Sequence, residues 1–155
     1  MPHPLFPHLH HQGDTDCVIV SADRVVDPGV PFELTAHDTA HLIVTRGEHS
    51  YEVGPLVIPG ITPCYQCVEH ARAAANPFRL THLRELADWP LGTLPLLAHY
   101  AAALRVARLI RDFASGALTA SLCAEIATID EDGTISVERA YPAHECVCGI
   151  CGLAS

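Results

Sequence analysis

Cysteine spacing is the feature of this sequence that points most directly to chemistry. Cys64-Tyr65-Gln66-Cys67 and Cys148-Gly149-Ile150-Cys151 are two Cys-x-x-Cys pairs some eighty residues apart. Two residues between cysteines let one tight turn offer both sulfurs to a single ion, and zinc takes four such ligands in a tetrahedron. The expected metal ligands are therefore Cys64, Cys67, Cys148 and Cys151, with Cys146 as an alternative because Cys146/Cys148 could act as the second pair. Four thiolates leave no coordination position for water, so the expected role is structural and the metal carries no catalytic step. Such a site contributes on the order of 10 kcal/mol or more of apparent free energy, so its removal is expected to unfold the C-terminal half. A redox pair at Cys64/Cys67 is the competing reading, since one Cys-x-x-Cys alone serves either purpose.

The seven cysteines are an odd number, and no positively charged segment precedes an apolar stretch at the N-terminus. Both facts weigh against a secreted disulfide scaffold and for reduced thiols in the cytoplasm. Cys17 and Cys123 lie in apolar strand-like patterns and read as inert buried thiols. Residues 1–15 hold His3, His8, His10 and His11 among three prolines, with little apolar periodicity. They read as a flexible arm ahead of a single domain over 16–152.

The elements that must position these cysteines follow from the pattern. Cys17-Val18-Ile19-Val20 and His41 to Thr45 are short β-branched runs of the kind found in buried strands. Asp27-Pro28 can cap and open a short helix between them. A turn at Arg46-Gly47-Glu48 leads to a third strand through Tyr51 and Val53, and Leu56-Val57-Ile58 runs to the turn at Pro59-Gly60. Helices are expected from Cys67 to Ala75, from Leu80 to Ala87, and from Thr93 to a stop at Ser115-Gly116. The alanines of the last (Ala98, Ala101, Ala102, Ala103, Ala107) permit close packing. Leu118 to Ile129 and Thr134 to Tyr141 alternate like paired strands about the hairpin signal Asp132-Gly133. The fold class is α/β, with short parallel strands, Ala-rich helices, a C-terminal β-hairpin and a pair of zinc knuckles.

Composition narrows the function classes. A formal charge of −9 with only nine Lys and Arg argues against nucleic-acid binding, which needs clustered cations. Arg105, Arg108 and Arg111 recur every third residue and are expected on one solvated helix face. The most apolar segment, Leu94 to Phe113, is broken by His99 and those arginines, so no membrane span is expected.

Gly54-Pro55-Leu56-Val57-Ile58-Pro59-Gly60, followed by Thr62-Pro63-Cys64-x-x-Cys67 and a tail carrying Pro142, His144, Cys146 and Cys148, resembles the ThiF/MoeB/HesA group. These are adenylating proteins similar to ubiquitin-activating enzymes. The likeness covers roughly Asp16 to Gly152 and is strongest to ThiF-like proteins of peptide natural-product clusters, which assist azoline-forming cyclodehydratases. It implies the back half of that fold together with its zinc.

This sequence also departs from the group it resembles. The family's nucleotide-binding half carries a Gly-rich turn that sets backbone N–H groups and a helix N-terminus against phosphates, and no G-x-G-x-x-G occurs here. Asp23 falls where the family keeps a magnesium-associated aspartate, but Arg24 replaces the usual Asn. No cysteine lies between Cys67 and Cys123 to match a thioester cysteine. ATP and magnesium are therefore not expected on this chain alone. The resemblance implies a non-catalytic accessory subunit in ribosomal peptide natural-product biosynthesis, working within a homo- or hetero-oligomer. It would bind a modifying enzyme or the leader segment of a precursor peptide. The alternative is one half of a split adenylating enzyme, with Asp23 nearest the nucleotide.

Overall fold

The computed structural model describes residues 16–144 together with Cys146 and Cys148. The arm assigned to residues 1–15, and Cys151, lie outside the described residues. Strand β1 (Val18–Asp23) is followed by α1 (Gly29–Ala36), β2 (His41–Arg46) and β3 (Ser50–Val57). Then come α2 (Tyr65–Ala75), α3 (Arg79–Glu85), α4 (Leu96–Ala114), α5 (Ala120–Cys123), β4 (Glu125–Asp130) and β5 (Ile135–Arg139).

The five strands form one sheet in sequence order. Only β1 and β2 are parallel, joined across α1, and the remaining neighbours are antiparallel. The period-2 alternation of a strand sends neighbouring residues to opposite faces, and β2 shows it. Leu42 packs with Ala102 and Leu109 of α4, together with Val53, Leu56 and Ile129. Its neighbour Ile43 packs on the other face with Val20, Leu34 of α1 and Tyr65 of α2. One helix layer therefore covers each face. Burying side chains such as Leu42 and Ile129 contributes about 2–3 kcal/mol each in transfer terms.

Sequence expectations and structure differ at four places. Asp27 is not the N-cap of α1; Pro28 holds that position, and the Asp27 carboxylate instead accepts from the Gly29 N–H at 2.9 Å. The segment before β4 is not strand from Leu118: Thr119 caps the short helix α5, accepting from the Leu122 N–H, so Cys123 is a buried helical thiol. Helix α4 starts at Leu96 rather than Thr93. Arg105 leaves its expected solvated face and pairs with Glu125 at 3.0 Å, because it rises over β4, whereas Arg108 and Arg111 are exposed.

Gly54 accounts for part of the run from Gly54 to Gly60. Its φ is +117°, and a β-carbon there would overlap the Glu125 carbonyl oxygen on β4. Glycine is what lets β3 and β4 approach at this point.

Candidate metal centre

The cysteines gather where β3 hands the chain to α2. After Val57 the backbone turns at Pro59-Gly60, with Gly60 at φ +73°, and Thr62 pins the turn from both sides. Its buried hydroxyl accepts from the Ile58 N–H at 2.8 Å and donates to the Leu56 carbonyl at 3.2 Å. This places Cys64 at the N-cap of α2 and Cys67 within its first turn, the Cys67 N–H donating to the Cys64 carbonyl at 3.1 Å. A helix N-terminus favours thiolate over thiol.

The opposing pair comes from the stretch after β5. Ala140 ties that stretch to Ala124 by a backbone hydrogen bond of 2.8 Å, and Cys146 N–H closes a turn onto Ala143. Cys146 then packs with Val57, Cys64 and Cys67, with Cys148 at the margin.

The four sulfurs of Cys64, Cys67, Cys146 and Cys148 all lie within 4.8 Å of one another. Cys64 and Cys67 are 3.8 Å apart, Cys64 and Cys146 3.3 Å, and Cys67 and Cys148 3.6 Å. A tetrahedron with zinc–sulfur bonds of about 2.3 Å has edges of about 3.8 Å. The donor set fits zinc in number, softness and spacing. The alternative residue Cys146 is thus at the cluster, and Cys151 falls outside the described residues.

As thiols, Cys64, Cys67 and Cys146 do not share protons evenly. The Cys64 S–H donates to the Cys67 sulfur at 3.8 Å, and this bond holds the Cys67 thiol well below its ordinary range. The same bond pushes Cys64 upward, with burial adding to it. Burial raises Cys146 to about 12. A buried cluster that ionises one sulfur readily and resists ionising the next needs added positive charge to become a tetrathiolate, and a divalent ion supplies it.

Asp23, the residue singled out for a nucleotide-associated magnesium, ends β1 and is exposed. Arg46 Nε lies 3.5 Å from its carboxylate. Arg24 takes a positive φ of 61° and pairs with Glu48 at 2.7 Å. The charges at this strand end are thus matched in pairs.

Two features had no clear signal in the sequence. A cavity of about 440 Å³ lies between Pro31, Phe32 and Thr35 of α1 and the cysteine-bearing turn, reaching Cys64, Tyr65 and Cys148. On the same sheet face Arg72 meets Glu52 at 3.0 Å and Glu138 at 3.1 Å, and Glu69 also pairs with Arg79. Glu69 and Arg72 also pair, one helical turn apart.

With this geometry established, comparison with solved structures decides the fold. E. coli MccB in complex with AMPCPP and MccA superposes with a TM-score of 0.66 at 21% identity, over 91% of this chain and 42% of MccB. MccB with ATP gives 0.61 at 21% identity, over 93% and 41%. A heterocyclase in complex with substrate and cofactor gives 0.66 at 18% identity, over 90% of this chain and 21% of the heterocyclase. The fold is the one these proteins share. The chain spans about two-fifths of MccB's length and about one-fifth of the heterocyclase's. No family model matches the chain, and no curated protein does.

Proposed function

We propose that this chain is a zinc-stabilised accessory subunit of ribosomal peptide natural-product biosynthesis, which docks a modifying enzyme or the leader of a precursor peptide. The observation that carries the reading is the fold likeness to MccB, described as a Microcin C7 biosynthetic enzyme and solved with N-formylated MccA. The heterocyclase, solved with its substrate, supports it from a second protein. Zinc held by Cys64, Cys67, Cys146 and Cys148 would staple the α2 N-terminus to the segment after β5. This keeps a sheet of only five strands rigid enough to present a docking face. Cys148/Cys151 with Cys64/Cys67 is the other ligand set that the spacing allows.

The accessory role rests on what surrounds Asp23. Adenylation requires groups that position and neutralise a triphosphate. The carboxylate here faces Arg46, and the adjacent arginine is committed to Glu48. A cytoplasmic location accords with thiols kept for metal rather than disulfides. No helix among the described residues is long and apolar enough to cross a membrane.

A second reading, half of a split adenylating enzyme, draws on one observation: Asp23 sits at the C-terminal end of a parallel strand, where α/β sheets bind ligands. Pyrophosphate exchange from labelled ATP, run with the chain alone and with candidate modifying enzymes, tests both. The accessory reading expects no exchange from the chain alone and a measurable affinity for enzyme or precursor. Exchange by the chain alone overturns it; exchange that appears only with a second chain carrying a Gly-rich turn transfers the case to the split enzyme.

A further inference from the structure

The four clustered sulfurs are not equally accessible. Cys64, Cys67 and Cys146 are buried, whereas Cys148 is half-buried. Of the four, Cys64 and Cys148 line the cavity beneath α1, and Cys67 and Cys146 do not. Phe32, Ala36 and Asp38 at the rim of that cavity are exposed, so among the described residues it opens to solvent. Its volume of about 440 Å³ is many times the roughly 30 Å³ that one water occupies in the liquid. A reagent of a few heavy atoms therefore fits, and Cys148 is the sulfur it meets first. The character of the walls selects among such reagents. Pro31, Phe32 and Pro59 make them apolar, and Asp38 is the one charged side chain among the lining residues described. In a chain of net charge −9 this favours a small neutral molecule over an anion. Behind Cys148, the Cys67 sulfur stands 3.6 Å away, so a bond of about 2.05 Å between them needs only a small approach.

We propose that Cys148 is a site of oxidation by small neutral peroxides, which enter through this cavity, and that it passes the oxidation to Cys67 and releases the zinc. This rests on the tetrathiolate reading of the metal centre and adds a reaction to it. A sulfur that coordinates zinc is deprotonated, and thiolate is the form that attacks. The Cys148 sulfur displaces one oxygen of hydrogen peroxide. The O–O bond breaks, an S–O bond forms, and the departing hydroxide takes a proton from solvent and leaves as water. The product is a sulfenic acid. The Cys67 thiolate then attacks that sulfur, forming the S–S bond and expelling hydroxide, which leaves as a second water. Over both steps two thiolates give up two electrons, peroxide becomes two waters, and two protons come from solvent. Cys64 and Cys146 remain, half of the four ligands a structural zinc site uses, so the ion is released. The new disulfide joins the two segments that the zinc had joined, the first turn of α2 and the stretch after β5. The oxidised domain therefore stays folded, and a dithiol with added zinc restores the starting state.

The test adds hydrogen peroxide to the purified, zinc-loaded full chain beside a chromophoric chelator too weak to strip the untreated protein, and maps the oxidised cysteines by peptide mass spectrometry. The inference expects zinc release in step with peroxide consumed, with Cys67–Cys148 as the first disulfide. Dimedone present during the reaction should mark Cys148. Glutathione disulfide, an anionic oxidant, should release zinc about tenfold or more slowly at the same concentration. Ala36→Trp, at an exposed rim position, fills the cavity without touching a sulfur and should slow release by peroxide about tenfold. Circular dichroism and zinc content check that this variant folds, and the disulfide map of the wild-type chain stands independently of it. Zinc retained through excess peroxide, or a first disulfide other than Cys67–Cys148, overturns the inference and leaves the tetrathiolate reading standing. So does a release rate that neither the folded Ala36→Trp variant nor the change to glutathione disulfide lowers. A purified chain that contains no zinc and takes none up brings down both.

Discussion

Replacing Gly54 by alanine should cost this domain about 4 kcal/mol, the sum of two separable terms. The backbone term comes from φ of +117°, a region that residues with a β-carbon enter at about 1–3 kcal/mol. The packing term comes from β4. The new methyl would overlap the Glu125 carbonyl oxygen and stand 3.1 Å from both the Glu125 carbonyl carbon and Ile126 Cα. These are backbone atoms, and no side chain can swing aside to relieve them. β4 must shift, while Ile126, Ala127 and Ile129 on it are almost fully buried. Overpacking of that kind costs about 1–3 kcal/mol. Urea unfolding of the metal-saturated protein, followed by circular dichroism, reads the difference, and a melt should shift downward by about 10 °C for a chain of this size. A loss below about 1 kcal/mol would refute the reasoning, because it would mean that β3 and β4 are not held this close.

Other outcomes are equally specific. Cys146→Ser should lower zinc occupancy and shift the melt sharply while Cys151→Ser leaves both near wild type; the reverse pattern in metal analysis would restore the Cys148/Cys151 pair. Arg72→Met leaves Glu52 and Glu69 facing each other without their shared cation and should cost about 2 kcal/mol in urea unfolding, discounted for partial exposure. His41 is fully buried, with Nδ1 against the Thr39 carbonyl and Nε2 without a partner, and burial lowers its pKa below 6.5. The unfolded chain therefore binds the extra proton first. Stability should be whole above pH 6.5 and fall as pH drops toward the depressed folded value, by up to about 1.4 kcal/mol per pH unit. His41→Leu should flatten that slope whatever its effect at neutral pH, and an unchanged slope would contradict the assignment.

The strands and helices were legible where pattern and punctuation agreed. Val18-Ile19-Val20 and His41 to Thr45 read correctly as strands because β-branched runs leave few alternatives, but only the second is buried; β1 ends the described sheet and leaves Ile19 half exposed. The stretch from Leu118 did not, since its alternation conceals Thr119 as a cap, and a four-residue helix is too short to produce a periodic signal. Which cysteines meet was only half legible. A Cys-x-x-Cys turn is a local property, and Cys64/Cys67 follow from it. The choice among Cys146, Cys148 and Cys151 depends on where β5 releases the chain, as set by Ala140 bonding to Ala124. No spacing rule contains that information.

The central claim is the tetrathiolate zinc centre, and zinc-edge X-ray absorption on the purified full chain tests it most directly. The account predicts one zinc per chain with four sulfur neighbours at about 2.3 Å and no nitrogen or oxygen ligand. A folded, zinc-free protein in which Cys64 and Cys67 cycle reversibly through a disulfide would contradict it.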